Sequence, residues 1–145
     1  MAIFPSHVDL EELNARFVPL LEKSAHFQIT AIEADCIKAE FEVTAAVTQP
    51  FGILHGGFSC VVAEGLGSVA GHLVVNDPKK TVVGQSLNAS HIRPGRLGTR
   101  MEAVARPVHL GGRSQIWDIM IQEKTTQKLI CKVSLTLALI QHSQG

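Results

Sequence analysis

The chain has 145 residues, of which 46% are hydrophobic and 18% charged, which suffices for one domain with a sizeable core. Thirteen basic and thirteen acidic residues give a formal net charge of zero, so no global field favours nucleic acid or an anionic membrane. Cys36, Cys60 and Cys131 are odd in number and lack CxxC spacing, which favours buried thiols in a reducing cytoplasm over disulfides or a zinc site. Glu64 and His72 interrupt the longest apolar stretch, and no basic segment precedes an apolar core at the N-terminus. We therefore expect neither a membrane span nor a signal peptide.

The N-terminal third predicts one short helix followed by a hairpin. Asp9 can cap a helix over residues 9 to 21, with Glu11 and Glu12 in its first turn, where the helix dipole favours acids. Residues 26 to 33 and 36 to 43 then alternate between apolar and polar, as half-buried strands do. A turn through Ala34 and Asp35 would join these two strands.

A long apolar segment from about Gly57 to Val75 predicts a helix. Its apolar residues cover more than one stripe, which is typical of a helix that is covered on more than one side. Gly65, Gly67 and Gly71 each lower its intrinsic helix propensity by about 1 kcal/mol relative to Ala. Tertiary packing must therefore hold this helix, and we expect it to be sandwiched between close neighbours.

The C-terminal half predicts four strands, near residues 81–92, 100–108, 114–122 and 129–140. The dipeptides Pro94-Gly95 and Gly111-Gly112 and a polar stretch near Thr125 separate them. The element order is then helix, two strands, long helix and four strands. This order predicts one α+β domain over residues 1–145, with an antiparallel sheet covering the long helix.

A lone acid, Glu64, lies in the long helix eight residues after Gly56. Ionised carboxylates are rarely buried without a partner, so an acid with apolar flanks is a candidate base or nucleophile. Eight residues separate Glu64 from the Gly56 amide by about 12 Å along a helix. A reacting carbonyl needs its base and its oxyanion donors within roughly 3 Å. The two groups can therefore cooperate only if they come from different chains, which predicts a homodimer with a shared site.

Several motifs together resemble the hotdog-fold acyl-CoA thioesterases, over about Asp9 to Ile140: QPFGILHGG, the acid at Glu64, GLGSVAGHL, VVGQSLNASHIRP and PVHLGGRSQIW. The resemblance is to the PaaI-like group that includes the 1,4-dihydroxy-2-naphthoyl-CoA and aroyl-CoA thioesterases. It implies a hotdog fold, in which an antiparallel β-sheet wraps around one long central helix. It also implies hydrolysis of an aromatic or related acyl-CoA to the free acid and CoA. No cofactor is implied, since coenzyme A is part of the substrate, and the assembly implied is a homodimer that pairs into a dimer of dimers.

The resemblance assigns catalytic roles to five residues. Glu64 would attack the thioester or activate water, and the Gly56 amide would donate to the oxyanion. His55 would orient the carbonyl or stabilise the turn beside it, while Gln49 would position the thioester or the water. Ser68, one turn after Glu64 on the same helical face, would bond Glu64, water or substrate. Simpler roles stay open at each position: a solvated acid, a turn glycine, a structural histidine, a loop glutamine and a serine bonded to its own helix.

Two further segments match the family's contacts with coenzyme A. Phosphates require local cations and backbone amides even on a neutral protein. The first segment comprises Gly84, His91, Arg93 and Pro94, and the second comprises His109, Leu110, Gly111, Gly112, Arg113 and Ser114. A plain hairpin with a solvated arginine is the alternative for the second segment.

Other chemistries leave fewer signals in this sequence. The seven histidines show no HExxH or paired metal spacing, and neither a GxSxG elbow nor a phosphate loop occurs. Two alternatives to a thioesterase stay open on the same fold. One is a hydratase or dehydratase of acyl thioesters, and the other is a non-enzymatic acyl-CoA-binding module.

Overall fold

Two short helices, rather than the single one predicted, begin the fold. The computed structural model describes residues 1 to 142, apart from the side chain of Phe17, so the end of the predicted domain at residues 143–145 lies outside the described residues. Helix α1 spans Leu10–Phe17 and α2 spans Pro19–Ala25. The Asp9 carboxylate caps α1 as predicted, accepting from the backbone N–H groups of Glu11 at 2.9 Å and Glu12 at 3.1 Å. The prediction of one helix to residue 21 is wrong. Pro19 disfavours helical backbone at Val18, so the chain bends and Pro19 starts a new helix.

The strands form one six-stranded antiparallel sheet in the order β1-β2-β4-β5-β6-β3. Their bounds are Gln28–Ile32 for β1, Ile37–Glu42 for β2, Lys80–His91 for β3, Arg100–Leu110 for β4, Ser114–Glu123 for β5 and Leu129–Gln141 for β6. The six predicted strands are thus confirmed, with small shifts at their ends. A 3₁₀ turn at Ala45–Val47 leads from β2 towards the long helix. Strand β3 lies at one edge of the sheet and pairs only with β6 among the described strands.

Helix α3, Gly56–Val75, lies against one face of this sheet at close range. A Cβ added at Gly71 would come within 2.6 Å of Leu137 Cδ1 and 2.5 Å of Gln115 Oε1. Gln115 is buried there, accepting a hydrogen bond from Trp117 Nε1 at 2.8 Å and donating to the Gly71 carbonyl at 3.4 Å. On the opposite side of the helix, Leu21 of α2 packs beside Gly65. The prediction of a sandwiched helix is confirmed, and the glycines are what allow the close approach.

By length and composition alone, α3 is apolar enough to cross a membrane, with a mean hydropathy of 1.6. Its sheet-facing residues, among them Val62, Leu66, Val69 and Ala70, are buried inside the domain. Helix α3 is therefore the core helix of this fold rather than a membrane span.

The C-terminal end of α3 lies near the N-terminal helices. Asn76 ends the helix in the left-handed region, with its N–H donating to the His72 carbonyl at 3.2 Å. Burial lowers the pKa of His72, and the nearby charges of Arg16 and His142 lower it further. His72 is therefore held in its neutral form at neutral pH.

The close approach of α3 to the sheet predicts the effect of a methyl group at Gly71. We expect Gly71→Ala to lower the free energy of unfolding by about 1–2 kcal/mol, because the overpacking cost exceeds the gain in helix propensity. Urea denaturation measures this difference. The matched control is Gly65→Ala, whose Cβ would meet only a terminal methyl of Leu21, at 3.1 Å. Equal effects at the two positions would contradict the packing argument.

The lowered pKa of His72 predicts a loss of stability in acid. The unfolded chain binds a proton at the ordinary histidine pKa of about 6.5, whereas the folded chain binds it only at lower pH. The free energy of unfolding should fall as pH drops below about 6.5 and level off once the folded form also binds the proton. His72→Gln should flatten this dependence, relative to the unaltered chain, in denaturation curves between about pH 7 and 5. An unchanged slope in His72→Gln would refute the assignment.

Candidate active site

Helix α3 begins at a turn whose first residues are His55, Gly56 and Gly57. The His55 side chain caps the helix, with its Nδ1 accepting from the Gly57 N–H at 3.0 Å. Because Nδ1 accepts, the proton of the neutral ring is on Nε2. This contact supports the turn-stabilising alternative for His55. The Gly56 N–H has no hydrogen-bond acceptor within residues 1–142 and lies at the positive end of the helix dipole.

A cavity of about 390 Å³, here called the turn cavity, opens beside this turn. It brings together five of the predicted site residues: Gln49, Gly56, His91, Arg93 and Pro94. The His91 ring packs directly on Gly56, since an added Cβ there would lie 3.0 Å from His91 Cε1. A side chain at position 56 would push against this ring, so glycine allows His91 to lie this close to the turn.

A short hydrogen-bonded loop holds Gln49 at the turn cavity. Its N–H donates to the Ile53 carbonyl at 2.8 Å, and its carbonyl accepts from the Gly52 N–H at 3.0 Å. Gly52 has φ +78°, a left-handed conformation that favours glycine. The half-buried Gln49 side chain is thus presented by a fixed backbone rather than by a loose loop.

Glu64 lies elsewhere, on the part of α3 that faces strand β3. Its side chain packs over Gly84, where an added Cβ would come within 2.9 Å of Glu64 Cδ. The pairing of β3 with β6 is irregular between Gly84 and Ser86, so the strand is distorted beside the acid. Within one chain Glu64 is exposed, so its apolar sequence neighbours do not bury it.

A second cavity, here called the elbow cavity, adjoins Glu64 and Ser68. It has a volume of about 530 Å³ and lies between α3 and the bend that joins α1 to α2. The sequence prediction that Glu64 and Ser68 share one helical face is borne out by this common lining. Glu64 and Gly56, however, line different cavities, in agreement with their separation of about 12 Å along the helix.

The two predicted CoA segments also lie apart within one chain. On β6, His91 pairs with Cys131 and Ser114 pairs with Ala138, seven residues further along the strand. At roughly 3.3 Å per residue this is about 23 Å. Gly84 pairs with Leu137 and therefore lies near the Ser114 end rather than with His91. A single chain does not bring both segments to one ligand.

The second CoA segment forms a tight hairpin between β4 and β5. The Gly111 N–H donates to the Ser114 carbonyl at 2.9 Å, and the Arg113 carbonyl accepts from the Leu139 N–H at 2.9 Å. The His109 ring packs on Gly111, where an added Cβ would lie 2.6 Å from Nε2. The side chains of Leu110 and Arg113 and the backbone of Gly112 are exposed. Both alternatives for this segment, a phosphate contact and a plain hairpin, fit this geometry.

Two residues at these cavities did not stand out in the sequence. Ser59 is buried and lines the turn cavity, and Arg16 lines the elbow cavity. The single helix predicted over residues 9 to 21 did not place Arg16 near α3. Pro19 is the signal that would have placed a bend there and brought Arg16 to the acid-bearing helix.

The remaining reactive side chains are possible metal ligands and the three cysteine thiols. Within residues 1–142, no three His, Cys, Asp or Glu residues are grouped so as to hold a metal ion. Cys36, Cys60 and Cys131 are free, and burial raises the pKa of Cys131 to about 11. The Cys131 thiol therefore stays protonated at neutral pH.

Comparison with known proteins agrees with this architecture. Residues 51–130 match the model of the thioesterase superfamily. The chain is 39% identical over 138 residues to the 1,4-dihydroxy-2-naphthoyl-CoA hydrolase of Escherichia coli, covering 95% of this chain and 99% of that protein. It is 38% identical over 138 residues to the proofreading thioesterase EntH of Cronobacter turicensis, covering 95% and 98%. The crystal structure of a thioesterase from Haemophilus influenzae superposes with a TM-score of 0.87 and 39% identity, covering 96% of this chain and 95% of that one.

The two relatives and the crystal structure match almost the whole chain, and the family model covers the range that holds the Gly56 turn, Glu64 and strand β3. The hydrolase names of the relatives do not favour the hydratase or the non-enzymatic alternative. The chain belongs to the thioesterase superfamily, has the hotdog fold and is a thioester hydrolase.

Proposed function

We propose that this enzyme hydrolyses an aromatic or related acyl-CoA to the free acid and CoA, in the cytoplasm, at sites shared between two copies of the chain. The observation that carries the proposal is the position of Glu64, which packs over Gly84 on the free edge strand and apart from the Gly56 turn. The name of the E. coli relative makes 1,4-dihydroxy-2-naphthoyl-CoA the first substrate to test. No cofactor is proposed, because water is the only co-reactant of the hydrolysis.

Edge-to-edge pairing of two β3 strands would complete the site. An antiparallel pair of identical strands has a twofold axis between them, so its centre fixes every partner. Pairing centred on Asn88 sets Gly84 of one chain opposite His91 of the partner subunit, because the extra residue in the irregular stretch between Gly84 and Ser86 leaves six pairing steps between Gly84 and His91. Since Glu64 packs on Gly84 and His91 packs on Gly56, this register brings Glu64 to the turn of the other chain.

The exposed side chains of β3 support an edge that is covered in the assembly. Val83 and Leu87 are 41% and 36% exposed on this strand, although both are apolar. Leu87 pairs with the buried Leu135 and so projects to the helix side of the sheet, between the Glu64 and His91 positions. A long edge strand with apolar side chains is a template for pairing with another strand.

The same pairing would gather the two CoA segments. The hairpin from His109 to Ser114 lies at the Gly84 end of its own sheet, and Arg93 and Pro94 lie at the other end. Twofold pairing places the Gly84 end of one chain beside the His91 end of the other. One CoA molecule would then contact His91, Arg93 and Pro94 of one subunit and the hairpin of its partner. We further propose that two such dimers associate into a tetramer, as the family resemblance implies.

The chemistry follows from this arrangement. The thioester oxygen would accept from the Gly56 N–H, where the helix dipole stabilises the charge that develops on it. Glu64 would either attack the carbonyl, giving an anhydride that water then cleaves, or remove a proton from an attacking water. In both cases the C–S bond breaks, the thiolate takes a proton and the acid is released. Gln49 and Ser68 would orient the water or the carboxylate, and His55 would hold the turn.

Substitution of Glu64 tests the proposed chemistry. We expect Glu64→Gln to lower kcat by about 10²–10⁴-fold, because an amide neither attacks nor accepts the proton. Binding of CoA should persist, since its proposed contacts are elsewhere. A thiol-trapping dye measures release of CoA from a panel of aromatic and aliphatic acyl-CoAs.

The control for this experiment is Glu11→Gln, which removes an exposed acid in α1. Unchanged turnover in Glu64→Gln would refute the assigned role. If the unaltered enzyme bound CoA esters but released no thiol from any of them, the proposed substrate class would be wrong.

A mixing experiment tests whether sites are shared between chains. Glu64→Gln and Gln49→Ala each damage one half of a shared site, so a mixed dimer contains one intact site and one doubly altered site. An equal mixture, after subunit exchange, should recover about a quarter of wild-type activity, because half of the dimers are mixed and each has one working site. Activity no higher than the average of the two single variants would show that each site is built from one chain.

A further inference from the structure

The Ser59 hydroxyl, at the start of α3, is a polar group of the turn cavity that the proposed catalysis does not use. Ser59 and Gln115 are the buried polar residues of the described chain, and Ser59 is only 2% exposed. Gln115 bonds Trp117 and the Gly71 carbonyl, whereas the Ser59 Oγ has no hydrogen-bond partner within residues 1–142. Among these residues, every completely enclosed side-chain oxygen or nitrogen does have a partner. The Ser59 hydroxyl is therefore not enclosed, and it opens into the turn cavity, which Ser59 lines.

The hydroxyl lies next to the amide that is proposed to bind the thioester oxygen. Gly56 and Ser59 are three residues apart in α3, so they occupy the same helical face, about 5–6 Å from each other. Helical side chains tilt towards the N-terminus of their helix, which turns the Ser59 side chain towards Gly56. Both residues line the turn cavity.

Two polar groups without partners thus lie side by side and do not bond each other. The Gly56 N–H has no acceptor within residues 1–142, so the Ser59 Oγ does not accept from it. An N–H only donates, and a hydroxyl donates as well as accepts. A single acceptor oxygen placed between the two groups would satisfy both.

The rest of the turn cavity suits an uncharged carbonyl at this point. Arg93 is partly occupied, since its Nη1 donates to the Leu129 carbonyl at 3.0 Å. Apolar surroundings strengthen a hydrogen bond to an oxygen on which charge develops. The cavity has four such aliphatic side chains among its lining residues: Ile53, Leu54, Ile92 and Ile130.

We propose that the Ser59 hydroxyl is a second donor to the thioester oxygen, beside the Gly56 N–H. This inference rests on the proposed function, since it takes the thioester carbonyl to lie at the Gly56 turn. When Glu64 or water adds to the carbonyl carbon, the π electrons of the C=O bond move to the oxygen, and both donors stabilise the charge there. When the C=O bond re-forms, the C–S bond breaks and the charge leaves the oxygen. Ser59 keeps its proton throughout and forms no covalent bond.

Replacement of Ser59 tests this role by kinetics. We expect Ser59→Ala to lower kcat by about 10²-fold, the scale for loss of one oxyanion donor, with little change in KM, because the bond is strongest in the transition state. Ser59→Cys keeps a side chain of similar shape but donates only weakly, so its kcat should fall as well. Chromatography of the acid released from benzoyl-CoA and 1,4-dihydroxy-2-naphthoyl-CoA measures turnover without a thiol dye.

The matched control is Ser24→Ala, which should leave kcat unchanged. Ser24 is an exposed serine of α2, and its hydroxyl donates to the Leu20 carbonyl at 2.9 Å. Urea denaturation of each variant checks that the fold is kept.

The vibration of the bound carbonyl gives a readout that a purely structural role of Ser59 would not move. Donors to a carbonyl oxygen lower its stretching frequency. With benzoyl-CoA that carries an isotope-labelled carbonyl, bound to Glu64→Gln to prevent cleavage, the stretch should move to higher wavenumber when Ser59→Ala is added. Adding Ser24→Ala instead should leave it in place.

Three results would overturn the role of Ser59: an unchanged kcat in Ser59→Ala, an unchanged kcat in Ser59→Cys, or a lowered kcat with an unmoved carbonyl stretch. If hydrolysis still depends on Glu64 in those cases, the proposed function stands without Ser59. If the unaltered enzyme cleaves no acyl-CoA, both proposals are wrong.

Discussion

An unbroken helix of 20 residues keeps the Gly56 amide and the Glu64 carboxylate on one rigid element, about two turns apart. No side-chain rotation closes a gap of about 12 Å between two groups on the same helix. The cavities of the site reflect this separation. One cavity forms at the turn, another forms beside the acid, and the free edge strand runs between them.

The helix keeps this position because glycines let it approach the sheet. At Gly71 the approach is close enough for the buried Gln115 side chain to donate a hydrogen bond to the helix backbone. The low intrinsic helix propensity of this segment is the cost, and the packing of α2 at Gly65 on the opposite side offsets it. The same bend in the N-terminal helices that packs Leu21 on α3 also forms the wall of the elbow cavity.

Much of the fold was predictable from local signals. The cap at Asp9, the hairpin at Ala34 and Asp35 and the breaks at Gly and Pro in the C-terminal half mark element ends, because each depends on backbone chemistry within a few residues. The exception was Pro19, where the apolar spacing of the helix outweighed a proline that starts a second helix. The 3₁₀ turn at Ala45–Val47 had no such signal.

The site was less predictable, because it depends on strand register. The residue types of the turn and the acid were readable, and helix spacing alone showed that they lie apart. Glu64 packs over Gly84, and His91 packs on Gly56. Both contacts result from the pairing of β3 with β6 and from the position of α3 on the sheet. Neither can be obtained from residue spacing. Arg16 was missed for a different reason, because the bend at Pro19 that brings it beside α3 was not predicted.

Strand β3 also has a bearing on how the protein behaves in the cell. Its 12 residues form an edge of the sheet and include exposed apolar side chains. Exposed edge strands of this kind promote aggregation. If the partner that protects this edge also supplies half of the site, solubility and activity are acquired in the same step. A newly made, unassembled chain would then be inert towards cellular thioesters, and its enzymatic activity would fall on dilution more steeply than its concentration.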